Sequence, residues 1–256
     1  MSGHSKWNNI KRKKEKTDAQ RGKIFTKIGR EISVAVKQGG PDPASNSKLK
    51  ECIAKAKYNN VPNEKINQLI KKISSGNSGA DCESFMYEGY GPGGVAFIVS
   101  ILTDNRNRAS SNIRMYFSKN GGNLGAPGCV SFMFDEKGVI LFEKDKYSED
   151  DLLNAALDSG ASDFQTEDDS CIVITEKSDF DSVKKKLSSM NFEPFSSELA
   201  MIPNSYVKVD EENKKKVQNL VDLLEDDDDV QSVWSNYEFD ENWSFRNSSC
   251  FKWRKL

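Results

Sequence analysis

Histidine is almost missing from this chain: one residue, His4, in a basic stretch. That scarcity removes His-rich zinc sites and argues against Ser-His-Asp or Cys-His catalytic sets, which need a base held by a rigid scaffold. The five cysteines, Cys52, Cys82, Cys129, Cys171 and Cys250, include no Cys-x-x-Cys pair, and an odd number makes a poor disulfide framework. They read as reduced, partly buried thiols. No run approaches the roughly 20 apolar residues of a membrane-spanning helix. Met1-Ser2-Gly3-His4-Ser5-Lys6-Trp7 has no apolar signal core. Internal repeats are absent. Asp226-Asp227-Asp228-Asp229 lacks the spaced ligands and glycine of a calcium loop and reads as a solvated acidic turn. These absences predict no metal, no cofactor, no small-molecule substrate, no membrane partner and no enzyme activity.

What the chain does have is a divided charge. Residues 1–75 carry 18 Lys+Arg against 6 Asp+Glu, and the other 181 carry 19 against 33. The overall formal charge of −2 hides a basic head on an acidic body. A cationic segment this dense attracts polyanions, and nucleic acid is the commonest in a cell. The acidic body keeps the rest of the molecule off the same polymer. At 256 residues, 36% hydrophobic, the chain is long enough for two or three domains with proper cores.

Residues 1–16 are polar and basic, with Lys11-Arg12-Lys13-Lys14 offering no apolar stripe to bury. Trp7, an aromatic among cations, offers a stacking surface beside phosphate neutralisers, or else packs back onto the helices. Three amphipathic helices come next. Ile24, Phe25, Ile28, Ile32 and Ala35 share one face between about Asp18 and Lys37, and Gly39-Gly40-Pro41 ends the run. Leu49, Cys52, Ile53 and Ala56 define a second helix after an Asn46-Ser47 cap. Ile66, Leu69, Ile70 and Ile73 define a third, capped by Asn63. Their polar faces are mostly lysine and arginine. After a Ser74–Gly79 linker the pattern turns to mixed strands and helices. Strands are expected at 95–102, 129–134, 139–142, 171–175 and 230–239. Helices are expected at 105–119, 179–190, from near Glu211, and over Leu152, Leu153, Ala156 and Leu157 behind a capping-box-like Ser148–Asp151. Without long βα alternation, the fold class is α+β.

Two further strings have competing readings. Gly89-Tyr90-Gly91-Pro92-Gly93-Gly94 fits G-x-G-x-x-G, but a dinucleotide site needs a preceding strand and a following helix N-terminus, and here Pro92 interrupts and a strand comes after. It reads as a tight turn. Asn105-Arg106-Asn107-Arg108, with Arg114 beyond, is either a solvated helix start or a second phosphate-binding patch.

These residues also form a recognisable pattern. Gly3–Lys11, Arg21–Lys27, Gly39–Pro43, Tyr87–Val95, Leu102–Arg108, Phe117–Gly125, Gly128–Phe134 and Leu224–Asn236 together, in this order, resemble the YebC/PmpR family, whose eukaryotic relative is a mitochondrial translational activator of cytochrome oxidase. Departures are Ala109 where threonine is common, Asn46-Ser47 where Asn-Pro is frequent, Trp234-Ser235 in place of Tyr-His, and an aromatic and basic extension over 241–256. The resemblance implies three domains: an N-terminal three-helix domain over 1–76, a middle α+β domain over 80–136 plus about 204–240, and an inserted α+β domain over 137–203, both mixed α/β and sandwich-like. It implies no enzyme activity, and a cytoplasmic location, since the Gly3-His4-Ser5-Lys6-Trp7 motif leaves no room for a transit peptide.

Family function has two descriptions: DNA binding in transcriptional regulation, and action on the ribosome in translation, including at proline-rich stretches. The expected nucleic-acid contacts are Lys6, Lys11, Arg12, Lys13, Lys14, Arg21, Lys23, Lys27 and Arg30, with Trp7 stacking and Arg106, Arg108 and Arg114 extending the surface. No helix-turn-helix with base-reading residues is evident, so structured RNA is as plausible a partner as duplex DNA.

Overall fold

The computed structural model describes residues 18–75, 82–167 and 170–238. The basic arm with Trp7, the linker core and the 241–256 extension lie outside the described residues.

The head is three helices: α1 (Asp18–Gly39), α2 (Ser47–Tyr58) and α3 (Asn63–Ser74). Ile28, Ile32, Ala35, Leu49, Cys52, Ala56, Ile66 and Ile73 meet in one cluster, as the helical spacing predicts. Asn46 fixes the α1–α2 corner. Its side-chain oxygen accepts the Leu49 amide at 3.0 Å, and its Nδ2 donates to the Ala35 and Gly40 carbonyls at 2.8 Å each. The expected Asn63 cap does not form: Pro62 holds the cap position of α3, with Asn63 already in the first turn.

The body is two four-stranded antiparallel sheets, an α+β architecture. The first is ordered β3-β1-β2-β8, from β1 (Glu83–Tyr90), β2 (Ala96–Thr103), β3 (Asn123–Leu124) and β8 (Val230–Ser235). Two helices, α4 (Arg106–Lys119) and α7 (Glu211–Asp226), pack on one face of it. Phe97, Val99, Ile101, Ile113, Phe117, Val217, Leu220 and Leu224 form that core, all essentially buried. Thus the chain leaves this sheet after β3, builds the second, and returns with α7 and β8 to add an edge strand against β2. The second sheet is ordered β5-β6-β4-β7: β4 (Phe134–Glu143), β5 (Asp163–Thr166), β6 (Ser170–Glu176) and β7 (Ser196–Pro203). It carries α5 (Glu149–Ser159) and α6 (Phe180–Ser189) on one face, over Ile140, Phe142, Leu152, Val173, Val183 and Leu187.

The glycine-rich string is the expected tight turn: β1 ends at Tyr90, and after it come a 3-10 turn at Pro92–Gly94 and then β2, so no helix N-terminus faces the glycines. Gly89 is required instead by close packing, because a Cβ there would lie 2.6 Å from the Asn123 carbonyl. Two expectations in the body need correction. Residues 129–133 are not a strand. The Glu88 carboxylate accepts the amides of Gly128, Val130 and Ser131 at 2.8–2.9 Å and holds the segment as a turn, and the strand begins at Phe134. Ser148 precedes α5 without a side-chain capping bond, so the capping box is not formed.

Candidate nucleic-acid interface

Lys23, Lys27 and Arg30 recur at i, i+4 and i+7 on α1, a single stripe opposite the apolar face that Ile28 and Ile32 bury. That stripe lies against the body. The Lys23 ammonium pairs with Asp226 at 2.8 Å. Lys27 donates to the Glu225 carbonyl at 2.6 Å. Arg30 donates to the Asp229 carboxylate at 2.7 Å, to the Asp228 carbonyl at 2.5 Å and, more weakly, to the Leu102 carbonyl at 3.4 Å.

The acidic turn receiving these cations is held in shape by α4. Tyr116 and Asn112 donate to one Asp227 oxygen at 3.0 and 3.2 Å, and the other accepts the Asp229 amide at 2.8 Å. Burial, and then the bond to Asp227, push the Tyr116 hydroxyl up to about 12. Arg108 grips Asp229 through both its oxygens, at 2.9 and 3.1 Å, and Asp104 at 2.7 Å. These bonds hold Arg108 charged and pull Asp104 below the usual carboxylate range. Only 4% of the Asp229 side chain is exposed. The expectation of a wholly solvated turn is therefore corrected: Asp229 is a buried anion shared by two guanidinium groups. A buried charge of this kind is tolerated because it is fully paired.

The thirteen expected contact residues thus separate into groups. Lys23, Lys27, Arg30 and Arg108 converge on one acidic turn between head and body. Arg106 lies apart, its guanidinium 5.2 Å from the centre of the Phe85 ring. Arg114 is exposed on the far side of α4. The backbone of Arg21 belongs to α1, and its side chain is outside the described residues, as are Lys6, Trp7, Lys11, Arg12, Lys13 and Lys14. At the start of α4 the Asn105 side chain already accepts the Arg108 amide at 3.0 Å, so one donor that could meet an anion is used by the cap.

A second set of cations lies on the other two helices of the head. Lys48, Lys50, Lys57, Lys71 and Lys72 are exposed on α2 and α3, with no ion pair to another described residue. Their signal was present as the polar faces of the two helices. Among the described residues, no group of three or more His, Cys, Asp or Glu could hold a metal ion, and no helix is long and apolar enough to cross a membrane. The thiols of Cys52, Cys82, Cys129 and Cys171 are unbridged, and burial raises each of them, Cys52 to about 11, so they are poor nucleophiles.

Comparison with known proteins matches this architecture. Residues 5–76 fit the TACO1/YebC N-terminal domain, and residues 82–237 fit the TACO1/YebC second and third domain. A "Probable transcriptional regulatory protein" of Clostridium botulinum is 53% identical over 95% of this chain and 99% of its own length. One of the same description from Acetivibrio thermocellus is 55% identical over 93% and 99%. The crystal structure of a conserved hypothetical protein from Aquifex aeolicus superposes with a TM-score of 0.80 at 44% identity, covering 88% of this chain and 93% of that one.

Proposed function

The chain belongs to the TACO1/YebC family, and from that membership and its divided charge we propose that it regulates gene expression by binding nucleic acid, DNA in the first reading, through the basic N-terminal domain. The observation that carries this is the charge division itself: 18 cations against 6 acids within residues 1–75, on a fold whose remainder is net acidic. Its relatives are described as probable transcriptional regulatory proteins. The role is regulatory and non-enzymatic, and it is exercised in the cytoplasm without a cofactor.

One observation favours a second reading. The exposed faces of α2 and α3 are lysine-rich, and lysine neutralises phosphates as a compact, flexible point charge without arginine's rigid fork. Phosphate contacts position a protein without specifying sequence. A ribosome-associated translation factor contacting ribosomal RNA, relieving stalls such as those at proline-rich stretches, uses the same surface.

Competition separates the two. The full chain is offered ribosomes and random duplex DNA at about 150 mM salt, each titrated against the other. Retention on duplex, sharpened on particular fragments, supports the transcriptional reading; preference for ribosomes that vanishes with residues 1–16 deleted supports the translational one. With about six phosphates neutralised, log affinity falls against log salt with a slope of about −5. A slope near zero rejects the phosphate-binding head in both forms.

A further inference from the structure

The stripe on α1 and the acidic turn form a polar junction between head and body. The anions come to the cations already arranged. Asp227 is pinned to α4 by Tyr116 and Asn112, Asp229 is pinned by Arg108, and the turn offers α1 a carboxylate at Asp226, a carbonyl at Glu225, a carbonyl at Asp228 and a carboxylate at Asp229. A row of oxygen acceptors matched to cations spaced one turn apart has the chemistry of a phosphodiester backbone.

We propose that residues 225–229 occupy, in this conformation, a phosphodiester-binding surface formed by Lys23, Lys27 and Arg30, so that a nucleic-acid backbone engaging α1 displaces the acidic turn and releases the helical head from the body. This rests on the nucleic-acid reading above and adds a competing internal ligand to it. The two anions exclude each other because Lys23, Lys27 and Arg30 are each already bonded to the turn. Binding at this stripe is therefore weakened by the closed fraction of the molecule, and anything that loosens the turn strengthens it. The junction suits such exchange: Lys23 and Asp226 are both substantially exposed, so the outer pair opens easily, whereas Asp229 keeps Arg108 as a partner when Arg30 leaves.

The test uses the full chain with donor and acceptor dyes on non-natural residues at Ser74 in α3 and Ser118 in α4, both exposed. The probes are a 20-base-pair DNA duplex and an RNA hairpin of equal charge. Energy transfer is expected to fall as either saturates, and the probe acting at the lower concentration identifies the source of the backbone. Asp226→Asn should tighten binding about threefold, and Asp229→Asn about tenfold. Asp158→Asn, an exposed acid on α5 away from the turn, is the control for net charge and should change binding by less than about twofold. Probe binding with unchanged transfer, or Asp226→Asn behaving like Asp158→Asn, overturns the displacement while leaving the nucleic-acid reading intact. Failure of all forms to bind either probe overturns both. Asp226 is exposed enough that its variant folds even where Asp229→Asn does not.

Discussion

The head and the two sheets are attached to one another by different physics. Between the sheets the contact is largely apolar: Phe134 at the start of β4, Met133 and Met201 of β7 pack with Ala96, Ile98 and Trp234 on the outer face of the first sheet. Between the head and the first sheet it is ionic, through the α1 stripe and residues 225–229. Between the head and the second sheet it is small, a stack of Tyr58 on Phe195 at 5.2 Å and a Lys184–Glu51 pair at 2.8 Å. Apolar burial is not weakened by screening, and some salts strengthen it, whereas partly exposed ion pairs weaken as ions screen them. The body should therefore behave as one unit and the head as a part whose attachment depends on solution conditions.

Breaking the apolar side of this comparison gives the largest effect. Phe134 is buried in the cluster between the sheets, beside Ala96, Ile98 and Trp234. Phe134→Ala should cost about 3–5 kcal/mol, by denaturant unfolding followed through tryptophan fluorescence, with a loss that added salt does not screen away. Breaking the ionic side comes next. Asp229→Ala removes the carboxylate that Arg108 and Arg30 share, leaving Arg108 with Asp104 and Arg30 with the Asp228 and Leu102 carbonyls, and should cost about 2 kcal/mol at low salt. Limited proteolysis should then release the head first, and added salt should bring the parent protein closer to the variant.

Glu88 sharpens the comparison within the body, because it is an ionic element that does not join head to body. Burial raises its carboxyl, but the amides of Gly128, Val130 and Ser131 outweigh that and hold it below the usual carboxylate range. A group whose folded pKa lies below its unfolded value adds stability that is complete above the ordinary carboxylate range and is lost as pH falls through the folded value. Glu88→Gln should thus cost about 1–2 kcal/mol at neutral pH and nothing once pH is low enough to protonate the parent. A loss that stays the same at pH 7 and at a pH low enough to protonate the parent would assign the residue a packing role instead.

The helices were legible because their apolar residues repeat every turn: Ile28, Ile32 and Ala35, or Val217, Leu220, Val221 and Leu224, name their own buried faces. Strands β1 and β7 were not. In β1, Phe85 and Tyr87 face the core while Met86 and Tyr90 remain exposed on the other face, so apolar residues on both faces conceal the period of two. In β7, Ser196, Ser197 and Glu198 open the strand with polar residues, and its pairing with β4 is settled by partners far away in the chain, Leu141 against Ser196 and Phe134 against Pro203. Asp226–Asp229 read locally as solvated because what buries Asp229 comes from Arg108 and Arg30, 121 and 199 residues distant. The cations of the candidate site were visible for the same reason that their partners were not: a charge is a property of the residue, and its pairing is a property of the fold.

The smallest effect tests the last contact. The Lys184 side chain is only partly exposed and also sits 5.7 Å from the centre of the Phe180 ring, so its stem packs on α6 while its ammonium reaches Glu51 of α2. Lys184→Ala should cost less than about 1 kcal/mol in global stability, within the scatter of a denaturant melt. Its consequence should appear instead in local opening. Amide exchange in the last turn of α2, near Tyr58, should speed up while exchange in α1 stays unchanged, since α1 is held by the acidic turn. Uniform acceleration through the head would mean that the two attachments of the head are a single cooperative unit.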